Sequence, residues 1–125
     1  MAVSDRLVGS WQLESFTSET KGGSLVHPLG EWPAGLLTYT GEGMMSVHLL
    51  AEPGRSETAM DAYTGYFGRF TVNEEEAIVS HQVEGASVEG LAGGVQERHY
   101  RFDGDRLELS AVGSRTTLKL TWKRR

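Results

Sequence analysis

Two polar residues fall within apolar strand-like patterns, where a titratable or charged side chain is unusual. The first is His81, which alternates with Val79 and Val83 and therefore faces the same side of a predicted strand. Its ordinary pKa lies near neutral pH, which suits a general acid or base. A core histidine that is hydrogen-bonded to a tyrosine or a backbone group fits the same pattern. We favour the core histidine and keep the general acid or base as the alternative.

The second residue is Arg98, which alternates with Tyr100 and Phe102 on a face predicted to be internal. Burying a charge is costly unless the charge is paired. A carboxylate from another strand can pair with it, and Glu84 is a candidate because a bulge at Gly85 would turn it inward. Otherwise Arg98 faces a pocket, where a ligand carboxylate, enolate or carbonyl would pair with it.

Aromatic and aliphatic residues on the same predicted faces would form the walls around these groups. The predicted ligand-binding residues are Trp32, Leu37, Met45, Val47, Tyr63, Tyr66, Phe70, Tyr100 and Leu109. If the protein is an enzyme, the predicted catalytic residues are His81, Arg98 and Tyr39. For most of the tyrosines, ordinary packing with a polar tip explains the pattern equally well.

Short segments in which apolar and polar residues alternate must position these side chains. Glycine-containing turns such as Lys21–Gly23, Gly41–Gly43 and Asp103–Asp105 separate the segments, as in an all-β meander. About eight strands are predicted, and a sheet of that size with one apolar face can close into a barrel that holds side chains or one small ligand. Phe16 breaks the alternation of the first strand, which indicates a bulge.

One short helix is predicted near the open end of the barrel. Ser56 can cap it, Glu57 suits its first turn, and Gly65 can end it. Together with Trp32 from a preceding loop, Tyr63 on this helix would form an aromatic lid over the opening.

Composition excludes several classes of function. The chain of 125 residues is predicted to form a single domain, residues 1–125, and it has no cysteine. A net charge of -5 argues against binding to nucleic acid, and no apolar run is long enough to cross a membrane. The four histidines show no His-x-His spacing, so we expect no metal and no cofactor. The first residues lack the apolar run of a signal peptide, so we expect a cytoplasmic protein.

A series of motifs is similar to the compact bacterial lipocalin-like domain family, within the calycin and lipocalin superfamily. The motifs follow one another along nearly the whole chain: Leu7-Val8-Gly9-Ser10-Trp11, His27-Pro28-Leu29-Gly30, Gly35-Leu36-Leu37-Thr38-Tyr39-Thr40, Gly43-Met44-Met45-Ser46, Tyr66-Phe67-Gly68-Arg69-Phe70, Val79-Ser80-His81 and Arg98 to Leu107. The resemblance implies a closed antiparallel barrel in which an arginine of the last strand, here Arg124, packs over Trp11.

For function, the resemblance implies a barrel that binds one small, largely apolar molecule, and Arg98 and His81 would recognise a carbonyl or carboxylate on it. The rival hypothesis is a cofactor-free cyclase or isomerase acting on a polyketide- or terpenoid-like intermediate. In that case the shape of the barrel interior holds the reacting atoms of the substrate close together, Arg98 stabilises negative charge, and His81 or Tyr39 moves a proton. A protein-protein adaptor is disfavoured because the predicted outer faces are polar. A homodimer is a reasonable expectation for so small a barrel.

Overall fold

The computed structural model describes residues 2–54 and 62–125. One short helix and nine strands lie in this part of the chain, in the order α1 (Val3–Leu7), β1 (Gly9–Thr20), β2 (Leu25–Val26), β3 (Ala34–Tyr39), β4 (Met44–Leu50), β5 (Tyr63–Asn73), β6 (Ile78–Ala86), β7 (Val95–Asp103), β8 (Arg106–Val112) and β9 (Thr116–Arg124). None of the described residues form a helix that is long and apolar enough to cross a membrane.

All nine described strands belong to one antiparallel sheet that closes on itself. From β3 to β9 each strand pairs with the next, and β1 pairs with both β3 and β9, so eight strands complete the barrel. The two-residue strand β2 pairs only with the end of β1, at Ser18 and Glu19. The closed antiparallel barrel predicted from the sequence is confirmed.

The predicted bulge in the first strand is present, but it lies two residues before Phe16. In the pairing of β1 with β9, the register shifts between Leu13 and Ser15, so Glu14 is the extra residue. The bulge reverses the alternation, because two residues of one strand then face one residue of its partner. Phe16 therefore packs against the core, and Ser15 lies on the opposite face from Trp11.

One end of the barrel is closed by α1 and Trp11. Leu7 is fully buried, and its carbonyl accepts a hydrogen bond of 2.9 Å from the indole Nε1 of Trp11. The Arg124 guanidinium lies 4.0 Å from the centroid of the Trp11 ring, as the resemblance implied. Gly9 permits this contact, since it has a φ of +131° and a Cβ there would lie 2.7 Å from Nη1 of Arg124.

The predicted helix from Ser56 to Gly65 lies largely outside the described residues. Its last part is wrong, because Tyr63 to Gly65 begin β5 and pair with Leu50 to His48 of β4. The pairing with a neighbouring strand decides the conformation there, which local sequence does not reveal. The described helix, α1, lies at the closed end rather than near the opening.

Candidate functional site

A cavity of about 90 Å³ lies inside the barrel, and every one of the eight barrel strands contributes to its wall. Its lining residues are Phe16, Leu37, Val47, Leu49, Tyr66, His81, Arg98, Leu109, Leu118, Leu120 and Trp122. Most of them are apolar, and the wall includes partly exposed residues such as Phe16, Leu49 and Leu118. An apolar cavity of about 150 Å³ holds benzene, so this one accommodates a smaller group or one end of a ligand.

His81 is the principal buried polar residue of this lumen, with 2 % of its surface exposed. Both ring nitrogens contact tyrosine hydroxyls: the Tyr39 hydroxyl lies 2.6 Å from Nε2, and the Tyr66 hydroxyl lies 2.6 Å from Nδ1. The three side chains come from β3, β5 and β6, whose inward positions the strand alternation sets. The expectation of a core histidine hydrogen-bonded to a tyrosine therefore matches these contacts.

Burial controls the protonation of His81 and of the two tyrosines that contact it. Burial and, as a smaller cause, the positive charge of Arg98 together lower the pKa of His81 from 6.5 to about 3. Burial also raises the pKa of Tyr66 to about 12, although Arg98 acts the other way. The pKa of Tyr39 is raised well above its usual range, chiefly by burial. At neutral pH all three side chains are therefore uncharged.

Arg98 lies on the wall of the cavity and is only partly buried. Its guanidinium donates to the Glu97 carbonyl at 2.8 Å and to Oε1 of Gln96 at 3.2 Å. In residues 2–54 and 62–125, no carboxylate forms an ion pair with it. The suggested partner Glu84 is wrong, because Glu84 lies on the outer face with its carboxylate 3.6 Å from Nε of Arg69. The bulge in β5 and β6 leaves Glu84 directed to solvent rather than inward.

Trp122 carries an unsatisfied buried donor. Its side chain is 1 % exposed, and the residue lines the cavity wall. Its indole Nε1 is buried and has no hydrogen-bond partner among the described residues. A buried donor without an acceptor is costly.

The structure divides the predicted wall residues into two groups. Leu37, Val47, Tyr66 and Leu109 line the cavity together with His81 and Arg98. The remaining inward residues do not line it: Tyr39, Met45, Phe70 and Tyr100 pack in or against the core. The ring centroids of Tyr39 and Phe70, for example, are 4.7 Å apart in an edge-on contact.

The predicted aromatic lid is not formed by Trp32 and Tyr63. The side chain of Trp32 is 76 % exposed and does not line the cavity. Tyr63 lies on the outer face of the sheet, where its hydroxyl is 2.6 Å from Nδ1 of His48. Because Tyr63 begins a strand rather than lying on a helix, its side chain follows the outward alternation of β5.

Five lining residues were not among the predicted site residues: Phe16, Leu49, Leu118, Leu120 and Trp122. Strand alternation places the last four on inner faces, but it does not tell which inner residues pack and which border a cavity. Phe16 required the position of the bulge at Glu14, which only the pairing with β9 reveals.

The described residues contain no cluster of three or more histidine, aspartate, glutamate or cysteine side chains that would hold a metal ion. What the lumen offers instead is one cation, several neutral polar groups and an apolar wall. This combination suits a ligand with one polar acceptor group and an apolar remainder.

A family model described as a lipocalin-like domain matches residues 8–125 of the chain. Comparison with curated proteins found no significant match, and comparison with solved structures found none either.

Proposed function

Because the chain belongs to the family of lipocalin-like domains, we propose that its barrel binds one small, largely apolar molecule that carries a carbonyl or carboxylate. The observation that carries the proposal is the position of Arg98 on the wall of an apolar cavity, without a carboxylate partner among the described residues. A cation in such surroundings gains most from an acceptor that a ligand supplies.

The cavity volume limits how the ligand lies. About 90 Å³ holds the polar group and a few carbons, so the rest of the molecule extends along the partly exposed side chains of Phe16, Leu49 and Leu118. Leu37, Val47 and Leu109 are buried, and they contact the enclosed part.

The test is an NMR titration with two probes of the same length, octanoate and 2-octanone. We expect shifts of the methyl signals of Leu37, Val47 and Leu109 with at least one probe, and weakening by about tenfold or more in Arg98→Leu. The matched control is Arg101→Leu, since Arg101 lies on the same strand but faces solvent and pairs with Glu108. Shifts confined to the outer surface, or an Arg98→Leu variant that binds as well as the control, would contradict the proposal.

A cofactor-free cyclase or isomerase is the second candidate, supported by the contacts that link Tyr66, His81 and Tyr39. In such an enzyme Tyr66 would take a proton from the carbon beside a carbonyl as it passes its own hydroxyl proton to His81, and Arg98 would stabilise the resulting enolate oxygen. Incubating 2-octanone with the protein in deuterated water tests this hypothesis directly. Exchange of the protons beside the carbonyl above the buffer rate, and its loss in Tyr66→Phe, would support it, and an unchanged rate would reject it for simple ketones.

A cytoplasmic location and a homodimer stay predictions from the sequence. Sedimentation velocity over a range of protein concentrations tests the homodimer.

A further inference from the structure

The hydrogen-bonding direction within the Tyr39–His81–Tyr66 cluster can be deduced from its surroundings. A neutral imidazole has one N–H donor and one nitrogen acceptor. Both ring nitrogens of His81 are occupied by tyrosine hydroxyls at 2.6 Å. One tyrosine must therefore donate to the ring, and the other must accept from it.

If the proton were on Nε2, the ring would donate to the oxygen of Tyr39. The hydroxyl proton of Tyr39 would then need a different acceptor. Tyr39 is 1 % exposed, and its hydroxyl has no second hydrogen-bond partner in the described part of the chain. This arrangement leaves a buried donor unsatisfied, which is costly.

If the proton is on Nδ1, the hydroxyl of Tyr39, which is the more deeply buried of the two, is satisfied. Tyr39 donates to Nε2, and the Nδ1–H of His81 donates to the oxygen of Tyr66. Tyr66 lines the cavity, so its own hydroxyl proton is free to donate into the lumen. The buried position of Tyr39 therefore selects the Nδ1–H tautomer and turns Tyr66 into a donor towards the ligand.

The side chain of Arg98 borders the same cavity. Arg98 uses two of its donors on Glu97 and Gln96, and a guanidinium carries five N–H groups, so donors remain. With His81 satisfied on both sides, the polar groups of the lumen present hydrogen-bond donors and a positive charge.

We propose that the lumen is selective for a carboxylate, so that the ligand is a small apolar monocarboxylic acid in its ionised form. This inference rests on the proposed binding function and narrows it. A carboxylate has about four lone-pair sites and a negative charge, which match the hydroxyl of Tyr66 and the positive charge and remaining donors of Arg98. A ketone and a primary amide each offer an acceptor oxygen without a negative charge.

The ligand test compares hexanoate with hexanamide and 2-heptanone, which have similar length and differ in the polar group. We expect hexanoate to bind about tenfold or more tightly than either neutral compound, in NMR titrations at pH 7. Equal affinities for the acid and the ketone would overturn the selectivity but leave the binding function intact. Failure of all three compounds to bind would contradict the binding function itself.

The variant Tyr66→Phe tests the donor that the tautomer creates. It should lower the affinity for hexanoate by about fivefold or more, since a hydrogen bond to a charged group is lost. The matched control is Tyr63→Phe, which removes a hydroxyl from another tyrosine–histidine pair on the outer face. Equal affinities of the two variants would remove Tyr66 from the ligand site.

The tautomer can be measured without any ligand. Long-range proton–nitrogen correlation spectra of the histidine rings distinguish Nδ1–H from Nε2–H at neutral pH. We expect His81 as the Nδ1–H form, and Tyr39→Phe should relax that preference. An Nε2–H signature in the wild-type protein would overturn the proposal whatever compound binds.

Discussion

The guanidinium of Arg124 lies over the indole ring of Trp11, 4.0 Å from its centroid, although 112 positions separate the two residues along the chain. The same guanidinium donates to the carbonyls of Val8 and Arg6, which lead into β1. Arg124 thus joins the last strand, the first strand and α1 at one end of the barrel.

We predict that Arg124→Ala lowers the free energy of unfolding by about 1 kcal/mol, because a cation–π contact and two hydrogen bonds are lost at a partly exposed site. The control is Arg125→Ala, whose side chain makes none of these contacts. Urea unfolding of both variants measures the difference. Equal stability of the two variants would show that the contact with Trp11 contributes nothing.

Gly68 lies beside the bulge at which Glu84 of β6 is the extra residue, and there β6 comes unusually close to β5. A Cβ at this position would lie 1.8 Å from the carbonyl oxygen of Gln82, which is backbone and cannot turn aside. We predict that Gly68→Ala lowers the free energy of unfolding by about 3 kcal/mol. Gly41→Ala is the control, since nothing lies within 4 Å of a Cβ there. A Gly68→Ala variant as stable as the control would contradict the close approach.

The depressed pKa of His81 predicts how stability depends on pH. The pKa is about 3 in the folded protein and near 6.5 in the unfolded chain, so below pH 6.5 the unfolded chain binds more protons. The stabilisation is complete above pH 6.5 and decreases as the pH falls from 6.5 towards 3, by about 1.4 kcal/mol per pH unit. The groups that face His81 are the hydroxyls of Tyr39 and Tyr66, which keep their protons throughout this range, and the positive charge of Arg98.

We therefore predict that wild-type protein loses about 2 to 3 kcal/mol more stability between pH 7 and pH 4.5 than His81→Gln does. Glutamine can both donate and accept, which preserves contacts to the tyrosines. The control is His99→Gln, which makes the same replacement at an exposed histidine. Parallel curves for wild type and His81→Gln, from urea unfolding at each pH, would contradict the depressed pKa.

Filling the lumen should abolish binding and preserve the fold. Leu118 is a partly exposed residue of the cavity wall, so Leu118→Trp can place its ring in the cavity with a change in stability of about 1 kcal/mol or less. Thr117→Trp adds the same ring to the outer face of β9. We expect no binding of octanoate by Leu118→Trp in NMR titrations and normal binding by Thr117→Trp. Octanoate binding by both variants would place its site outside the lumen.

Strand alternation predicted the barrel and much of its interior. It placed His81 and Arg98 on inner faces, and both line the cavity. The contact of Arg124 with Trp11 was also predicted, because the resemblance joined the two ends of the chain. The inner-face assignments depend on period-two patterning, which persists along each strand.

The remaining features depend on contacts between strands, which alternation does not contain. Tyr63 was assigned to a helix because its pairing with Leu50 is not visible in the sequence. Met45 and Val47 have the same pattern, yet only Val47 borders the cavity. Likewise, the unsatisfied N–H of Trp122 is defined by the absence of a described acceptor near it, which no property of tryptophan itself reveals.

The pairing of β1 with β9 sets Trp11 opposite Arg124, so the first barrel strand begins and the last one ends at the same end of the barrel. The connection between β8 and β9 lies at the opposite end, the end at which β3 starts and β4 finishes. A fusion partner or surface tether attached at either terminus would therefore leave the far rim unobstructed. Joining the two termini with a short peptide and opening the chain at Gly113–Ser114 should give a circularly permuted barrel.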